Sequence, residues 1–136
     1  MTEFIFPVRV YYEDTDFSGI VYHASYLRFL ERGRTEWLRD LDVDQNQLIE
    51  QGLAFAVTKL QIDYIKPAKF NDLLEVVTEI QTAKRATLVF SQWIRNKQHP
   101  EIIYVKAEVK AACINMETLK PKALPKQLVK EIICEH

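Results

Sequence analysis

The chain has 136 residues, 48% of them hydrophobic and 27% charged, so it has the usual size of one domain and can bury a sizeable core. Its net charge of -1 gives no bulk attraction to nucleic acid, and we expect no nucleic-acid partner. Because no signal-peptide pattern and no apolar run of roughly 18 residues is present, we expect a cytoplasmic protein without a membrane span. Cys113 and Cys134 lack CxxC or metal-like spacing and are expected to be buried or incidental thiols.

The N-terminal part predicts a strand followed by a long helix. Residues 4–12 are β-branched and aromatic, and Pro7 confines the early part of this strand to an edge or a bulge. Residues 25–41 then follow a helical period. The apolar stripe of this helix is Tyr26, Leu27, Leu30, Gly33, Trp37, Leu38 and Leu41. Because glycine weakens a helix, Gly33 on the stripe predicts that a neighbouring backbone, as part of a sheet, comes close there.

The remaining elements are a short helix and four strands. Asp44 as N-cap, Gln47 in a capping box and Gly52 as stop predict a helix over residues 45–51. Strands are predicted over residues 54–65, 73–81, 86–95 and 102–114, before a terminal helix over 124–133. Short connections imply an antiparallel sheet of about five strands wrapped around one long helix, an α+β fold in a single domain over residues 1–136. Its open edge strands predict pairing with a second copy.

The stretch YYEDTDFSGIVYHASY, residues 11–26, groups polar residues before the long helix. One interpretation is a turn in which Asp14 or Asp16 caps the chain and His23 is a partly buried polar residue, and spacing alone favours this interpretation. The other is an active site. Amides of the first helical turn form a donor site for an oxygen that becomes negative during a reaction, and a facing carboxylate would complete a site for attack on a carbonyl. The first turn carries Arg28 and no acid, which leaves these amides for an external ligand.

The same stretch resembles the hotdog-fold acyl-CoA thioesterases of the 4-hydroxybenzoyl-CoA thioesterase superfamily, most closely the YbgC type found beside Tol-Pal genes. The family pattern D-x-D-x-x-G-[IV]-V-[YFW] stands here at residues 14–22, and DYIKPAKFNDLLEV, residues 63–76, is similar to its second segment. The resemblance implies a hotdog fold, the architecture derived above. It also implies that Asp16 is the catalytic general base or nucleophile and that the His23 backbone amide polarises the thioester carbonyl.

The resemblance further implies a substrate-binding loop and a phosphate-binding turn. Gly19, Ile20 and Tyr22 belong to the first, while Asp14 is expected to order the loop through backbone hydrogen bonds. Lys84 and Arg85 are the first candidates to bind the phosphates of coenzyme A. The active site is expected at the dimer interface, so these residues can come from the other subunit. Five further cations are candidate helpers, although a solvated surface is the commoner role for any one of them. These helpers are Lys59, Lys66, Lys69, Arg95 and Lys110.

We therefore expect hydrolysis of short-chain acyl-CoA without a metal or a cofactor, since a lone D-x-D and one distant histidine form a poor ligand set. The expected assembly is a homodimer, with a tetramer as a dimer of dimers. The alternative is a weakly catalytic subunit that binds acyl carrier protein or envelope-complex partners, and a hydratase ranks last. Whether the Tol-Pal link is physical stays open.

Overall fold

A computed structural model describes residues 3–135 of the chain, with side chains described as far as Ile132, so the prediction for the Cys134 thiol lies outside the described residues. The elements are β1 (Phe4–Arg9), α1 (Ser25–Asp40), α2 (Gln45–Glu50), β2 (Leu53–Tyr64), β3 (Leu73–Ala83), β4 (Thr87–Asn96), β5 (Ile103–Asn115) and α3 (Lys126–Glu135). A 3-10 helix, Tyr12–Asp14, lies between β1 and α1. Among residues 3–135, no helix is long and apolar enough to cross a membrane.

The strands form one five-stranded sheet in the order β1-β3-β4-β5-β2, and every neighbouring pair is antiparallel. The short connections between β3, β4 and β5 are hairpins, as antiparallel pairing allows. The six-residue β1 and the twelve-residue β2 are the two edges. The predicted α+β architecture, a long helix against an antiparallel sheet, is confirmed.

Helix α1 packs across β1, β3 and β4, and α2 covers part of β2. The predicted stripe is buried at Tyr26, Leu30, Trp37 and Leu38. Gly33 is buried as well, and a Cβ built there would lie 2.6 Å from Val76 Cγ1 on β3. The close approach predicted at this glycine is therefore present, but the neighbours are side chains of the sheet and not its backbone.

Three sequence predictions need correction. The first strand ends at Arg9, before the predicted end at residue 12, because the chain turns into the 3-10 helix at Tyr12. Leu27 is exposed, whereas Phe29, which the stripe did not include, is fully buried. Asp44 caps α2 by accepting the amides of Asn46 and Gln47, without the reciprocal side-chain bond of a capping box among the described residues.

The edge strand β2 leaves apolar side chains uncovered on the face that α1 covers elsewhere. Val57 pairs with Ala111 and Leu60 with Val109, so these side chains share the face of the buried core of β5. Val57 and Leu60 are nevertheless 52% and 38% exposed. A long apolar edge of this kind is a surface that proteins normally pair or cover.

Candidate active site

Asp14 anchors the loop that precedes α1. Its buried carboxylate accepts the Tyr11 amide at 2.8 Å and lies 3.5 Å from an Arg28 guanidinium nitrogen. Its backbone carbonyl accepts the Tyr22 amide at 2.9 Å and the Ser25 hydroxyl at 3.1 Å. One residue thus joins the 3-10 helix to the start of α1, which is the ordering role predicted for Asp14.

Asp16 begins a tight turn that closes at Ile20. The Asp16 amide donates to the Ile20 carbonyl at 3.0 Å, and the Gly19 amide donates to the Asp16 carbonyl at 3.1 Å. Gly19 has a φ of +84°, and no heavy atom of the chain lies within 4 Å of a Cβ placed there. Glycine is therefore favoured here by the left-handed backbone of the turn and not by a close approach within the chain.

The Asp16 carboxylate is held on one side only. Its Oδ1 accepts the Ser18 amide at 2.8 Å and also the Ser18 hydroxyl, whereas no donor within residues 3–135 binds Oδ2. The hydroxyl bond, and then the amide bond, lower the pKa of Asp16 below its ordinary value. The carboxylate is therefore ionised at neutral pH, with one oxygen free to act on a ligand.

The turn into α1 exposes a pair of backbone donors. The Ser25 amide donates to the Tyr22 carbonyl at 2.8 Å, and the Tyr64 hydroxyl donates to the His23 carbonyl at 3.1 Å. Within the described part of the chain, no group accepts a hydrogen bond from the amides of His23 and Ala24. No acidic residue lies in the first turn of α1, so these amides and the helix dipole form an anion-stabilising position.

A cavity of about 240 Å³ lies beside His23. It is lined by Ile20, Val21, His23, Tyr26, Tyr64, Ile65, Lys66 and Pro67. Burial raises the pKa of the Tyr26 phenol, which therefore stays protonated and neutral at physiological pH. The walls are mainly apolar and aromatic, with Lys66 as the cation, which suits an acyl group entering beside a polar reaction centre.

The structure brings some predicted site residues together and separates others. His23 and Ile20 line the cavity, whereas Asp16 lies in the same loop without lining it. Tyr22 is half-exposed, and its ring contacts the His23 ring at a tilt of 50°, with 4.5 Å between the ring centroids. His23 and Ile20 thus lie at one cavity, and the chemical roles of the predicted site residues stay predictions.

Lys84 and Arg85 lie at the other end of the sheet. The Asp16 loop is joined to the start of β3 through the bond from the Val10 amide to the Asp72 carbonyl, whereas Lys84 follows the last residue of β3. The eleven residues of that strand span about 35 Å. Lys84 lines a separate cavity of about 270 Å³ with Lys59 and Lys110. One chain therefore does not bring this basic cluster to its own Asp16.

Sequence reasoning missed the contribution of the β2 end to the cavity. Tyr64, Ile65 and Pro67 all line it, and Lys66 was only one of five helper cations. The available signal was the segment DYIKPAKF, residues 63–70, which was used for the resemblance alone. Burial raises the pKa of the Cys113 thiol, as expected for a core cysteine. Within residues 3–135, no cluster of three His, Cys, Asp or Glu side chains is arranged to hold a metal ion.

Comparison with known proteins places the chain in a family. The model of the thioesterase-like superfamily matches residues 10–132. The chain is 51% identical to an acyl-CoA thioesterase YbgC of Haemophilus influenzae over 126 residues, covering 92% of this chain and 90% of the relative. It is 46% identical to an acyl-CoA thioester hydrolase YbgC of Escherichia coli over 130 residues, covering 96% of each.

A solved structure supports the same fold. The crystal structure of a 1,4-dihydroxy-2-naphthoyl-CoA thioesterase from Synechocystis superposes with a TM-score of 0.91, covering 99% of each chain at 24% sequence identity. The five-stranded sheet with its long helix is therefore the hotdog fold. The chain belongs to the thioesterase-like superfamily, and within it to the YbgC type of hotdog thioesterases.

Proposed function

We propose that this chain is an acyl-CoA thioesterase that hydrolyses short-chain acyl-CoA to the free acid and coenzyme A. The observation that carries the proposal is the pair of unpaired amides at His23 and Ala24, in the same loop as an ionised Asp16, together with the apolar cavity that His23 lines. The YbgC relatives support the acyl-CoA class of substrate. The roles of the individual residues are our own assignment.

The amides stabilise the charge that develops on the thioester oxygen. As the carbonyl carbon is attacked, its oxygen becomes negative, and preorganised N–H donors bind this oxyanion more strongly than the ground-state carbonyl. No group of the described residues accepts a hydrogen bond from these amides, and the dipole of α1 points its positive end there. His23 therefore contributes through its backbone, and its side chain needs no proton-transfer role.

Asp16 supplies the attacking group, either as a general base on water or as a nucleophile through an acyl-enzyme anhydride. Ser18 occupies Oδ1 and leaves Oδ2 free, which suits both mechanisms. The lowered pKa keeps the carboxylate ionised, a requirement that the two mechanisms share. The carboxylate must reach the thioester from the rim of the cavity, because Asp16 does not line it.

The size of the cavity favours a short acyl group. Pockets for drug-sized ligands usually enclose about 300–1,000 Å³, and the cavity beside His23 holds about 240 Å³. The pantetheine arm and the nucleotide then extend over the surface. Lys66 lines this cavity and is a cation that the same chain offers to the arm.

The nucleotide phosphates meet the basic cluster of a second copy. If two chains pair antiparallel through the apolar edge β2, the direction of the sheet reverses across the new contact. The end that carries Lys84 and Arg85 in the partner subunit is thereby brought toward the Asp16 end of the first chain. Lys59 and Lys110 share the cavity with Lys84 and would add to the positive field. A tetramer, the cytoplasmic location and any Tol-Pal or acyl carrier protein partner stay predictions.

The test is thiol release from a panel of short, medium, long and aromatic acyl-CoAs, compared between wild type and Asp16→Asn. We expect the variant to fold and to lose about 10²- to 10⁴-fold in kcat, the range of a lost general base. Asp40→Asn is the matched control, because Asp40 is an exposed aspartate at the opposite end of α1. A folded Asp16→Asn oligomer with the wild-type rate would contradict the assignment.

The same panel separates the enzyme from the alternative binding role. Turnover that is fastest with short acyl chains supports the proposal as stated, and turnover that is fastest with long chains contradicts the short-chain part. Capture of acyl carrier protein by a chain that hydrolyses none of the acyl-CoAs would favour a non-catalytic subunit.

A further inference from the structure

Tyr64, the last residue of β2, contacts the start of α1 from the edge of the sheet. Its hydroxyl donates to the His23 carbonyl at 3.1 Å. Its ring lies edge-on to the His23 ring, with 6.2 Å between the centroids, and 5.8 Å from the Tyr26 ring. One side chain from the end of β2 thus contacts the turn that carries the unpaired amides.

The bond to the His23 carbonyl also fixes the next amide. A peptide unit is planar and trans, so the His23 carbonyl and the Ala24 N–H belong to one rigid plane and point in opposite directions. The preceding plane contains the Tyr22 carbonyl and the His23 N–H, and it is held by the Ser25 amide at 2.8 Å. In each of these two successive peptide planes, the carbonyl therefore accepts a hydrogen bond, while the N–H has no acceptor within residues 3–135.

We infer that Tyr64 is a positioning residue for thioester hydrolysis, which orients the His23–Ala24 peptide so that the Ala24 N–H joins the His23 N–H as a second donor to the substrate oxygen. The inference rests on the proposed function. It adds the Ala24 N–H as a second oxyanion donor and Tyr64 as the residue that orients this donor. A hydroxyl that donates to a carbonyl also polarises the peptide and strengthens the opposite N–H as a donor. Catalysis by preorganised dipoles depends on such fixed orientation.

A purely structural role explains the Tyr64 contact less well than a positioning role in catalysis does. Tyr64 is 48% exposed, and its hydroxyl bond is at the surface, so water can replace the phenol at the His23 carbonyl with little loss of stability. What water does not replace is the fixed direction of the peptide plane. The effect of the hydroxyl is therefore expected in the rate and not in the stability of the fold.

The test compares Tyr64→Phe with wild type in kcat, KM and thermal unfolding. Loss of an oxyanion donor typically reduces kcat 10²- to 10³-fold, so loss of its orientation is expected to reduce kcat less, about tenfold, with KM and the melting temperature nearly unchanged. Tyr104→Phe is the control, because its hydroxyl also makes a hydrogen bond, accepted from the Asn96 side chain at 2.9 Å, and makes none to the His23 carbonyl. This control is expected to keep the wild-type kcat.

The second readout is the ¹⁵N–¹H spectrum, which is independent of turnover. Tyr64→Phe is expected to shift the Ala24 amide resonance, while the Tyr104→Phe spectrum keeps it in place. An unchanged kcat, or a raised KM at constant kcat, would overturn the positioning role, and so would an unmoved Ala24 resonance. If wild type hydrolyses no acyl-CoA, the proposed function fails by that result, while the spectrum still decides whether Tyr64 orients the peptide.

Discussion

The middle of α1 and its N-terminal end use their polar groups in opposite ways. In the middle, Gln92 donates to the Leu30 carbonyl at 3.0 Å and to the Thr78 hydroxyl at 2.9 Å, and it accepts from Arg34 at 3.0 Å. Every buried side-chain nitrogen and oxygen in the described residues has a partner. At the N-terminal end, the amides of His23 and Ala24 have none.

The paired polar groups in the middle of α1 stabilise the fold, whereas the unpaired amides at its N-terminal end are left for a ligand. Burial lowers the pKa of Arg34. The Gln92 side-chain oxygen accepts a hydrogen bond from the Arg34 guanidinium, which offsets part of the cost of removing this group from water. A fully paired network of this kind makes the middle of the helix rigid and complete within one copy. At the N-terminal end, His23 lines a cavity, and the basic cluster at Lys84 lies at the far end of the sheet. In our proposal this end is therefore completed by a second copy.

The largest effect is expected in an experiment that tests whether the proposed site at the N-terminal end of α1 uses residues of a second copy. We predict that Asp16→Asn and the double variant Lys84→Ala, Arg85→Ala are each nearly inactive at low acyl-CoA concentration. Mixing and refolding them together should restore about a quarter of the wild-type activity, because half of the dimers are mixed and one of the two sites in each is then intact. The measurement is thiol release at acyl-CoA concentrations below KM.

The mixture has a control that uses other cations. Lys126→Ala, Lys130→Ala on the exposed face of α3 should leave the activity of the chain unchanged. If Asp16 and the Lys84 cluster of the same chain serve one site, the mixture will give only the average of its two parents. That average would refute the shared site and leave the Asp16 assignment intact.

The next effect concerns the packed middle of α1. Gly33→Ala gains about 1 kcal/mol of helix propensity, but its Cβ would lie 2.6 Å from Val76 Cγ1. Overpacking typically costs about 1–3 kcal/mol, so we predict a net loss of about 1 kcal/mol in the free energy of unfolding, measured by urea denaturation.

Val76→Ala supplies the matched test of this clash, because it removes the Cγ1 atom. The loss caused by Gly33→Ala should be smaller in the Val76→Ala background than in wild type, since contacting sites are not additive. Equal losses in the two backgrounds would mean that the alanine methyl is accommodated elsewhere.

The sequence predicted the parts of the molecule that depend on local period. The helical period of α1 predicted the buried side chains of Tyr26, Leu30 and Trp37, although Leu27 on the same stripe is exposed. The ends of elements were less predictable, because the turn after Arg9 depends on the Asp14 carboxylate reaching back to the Tyr11 amide. The Tyr64 contact joins residues 41 positions apart, so no local pattern signals it.

The smallest expected effect concerns the pKa of Asp16. Ser18→Ala removes the hydroxyl bond to Asp16 Oδ1, the largest cause of its lowered pKa, and keeps the amide bond. The pKa of Asp16 should rise toward its ordinary value, and the acid limb of kcat/KM should move to higher pH with it. At neutral pH the carboxylate stays ionised in both forms, so the rate there should change little.

The sign of the shift makes this prediction specific to Asp16. A group with a lowered pKa stabilises the folded chain above its unfolded pKa, and this contribution disappears as the pH falls through the folded value. Ser18→Ala should therefore reduce the stability lost on acidification, whereas Ser18→Thr, which keeps a hydroxyl, should behave like wild type. An acid limb that does not move in Ser18→Ala would assign that limb to another group, because Asp16 is the acid whose pKa this hydroxyl controls.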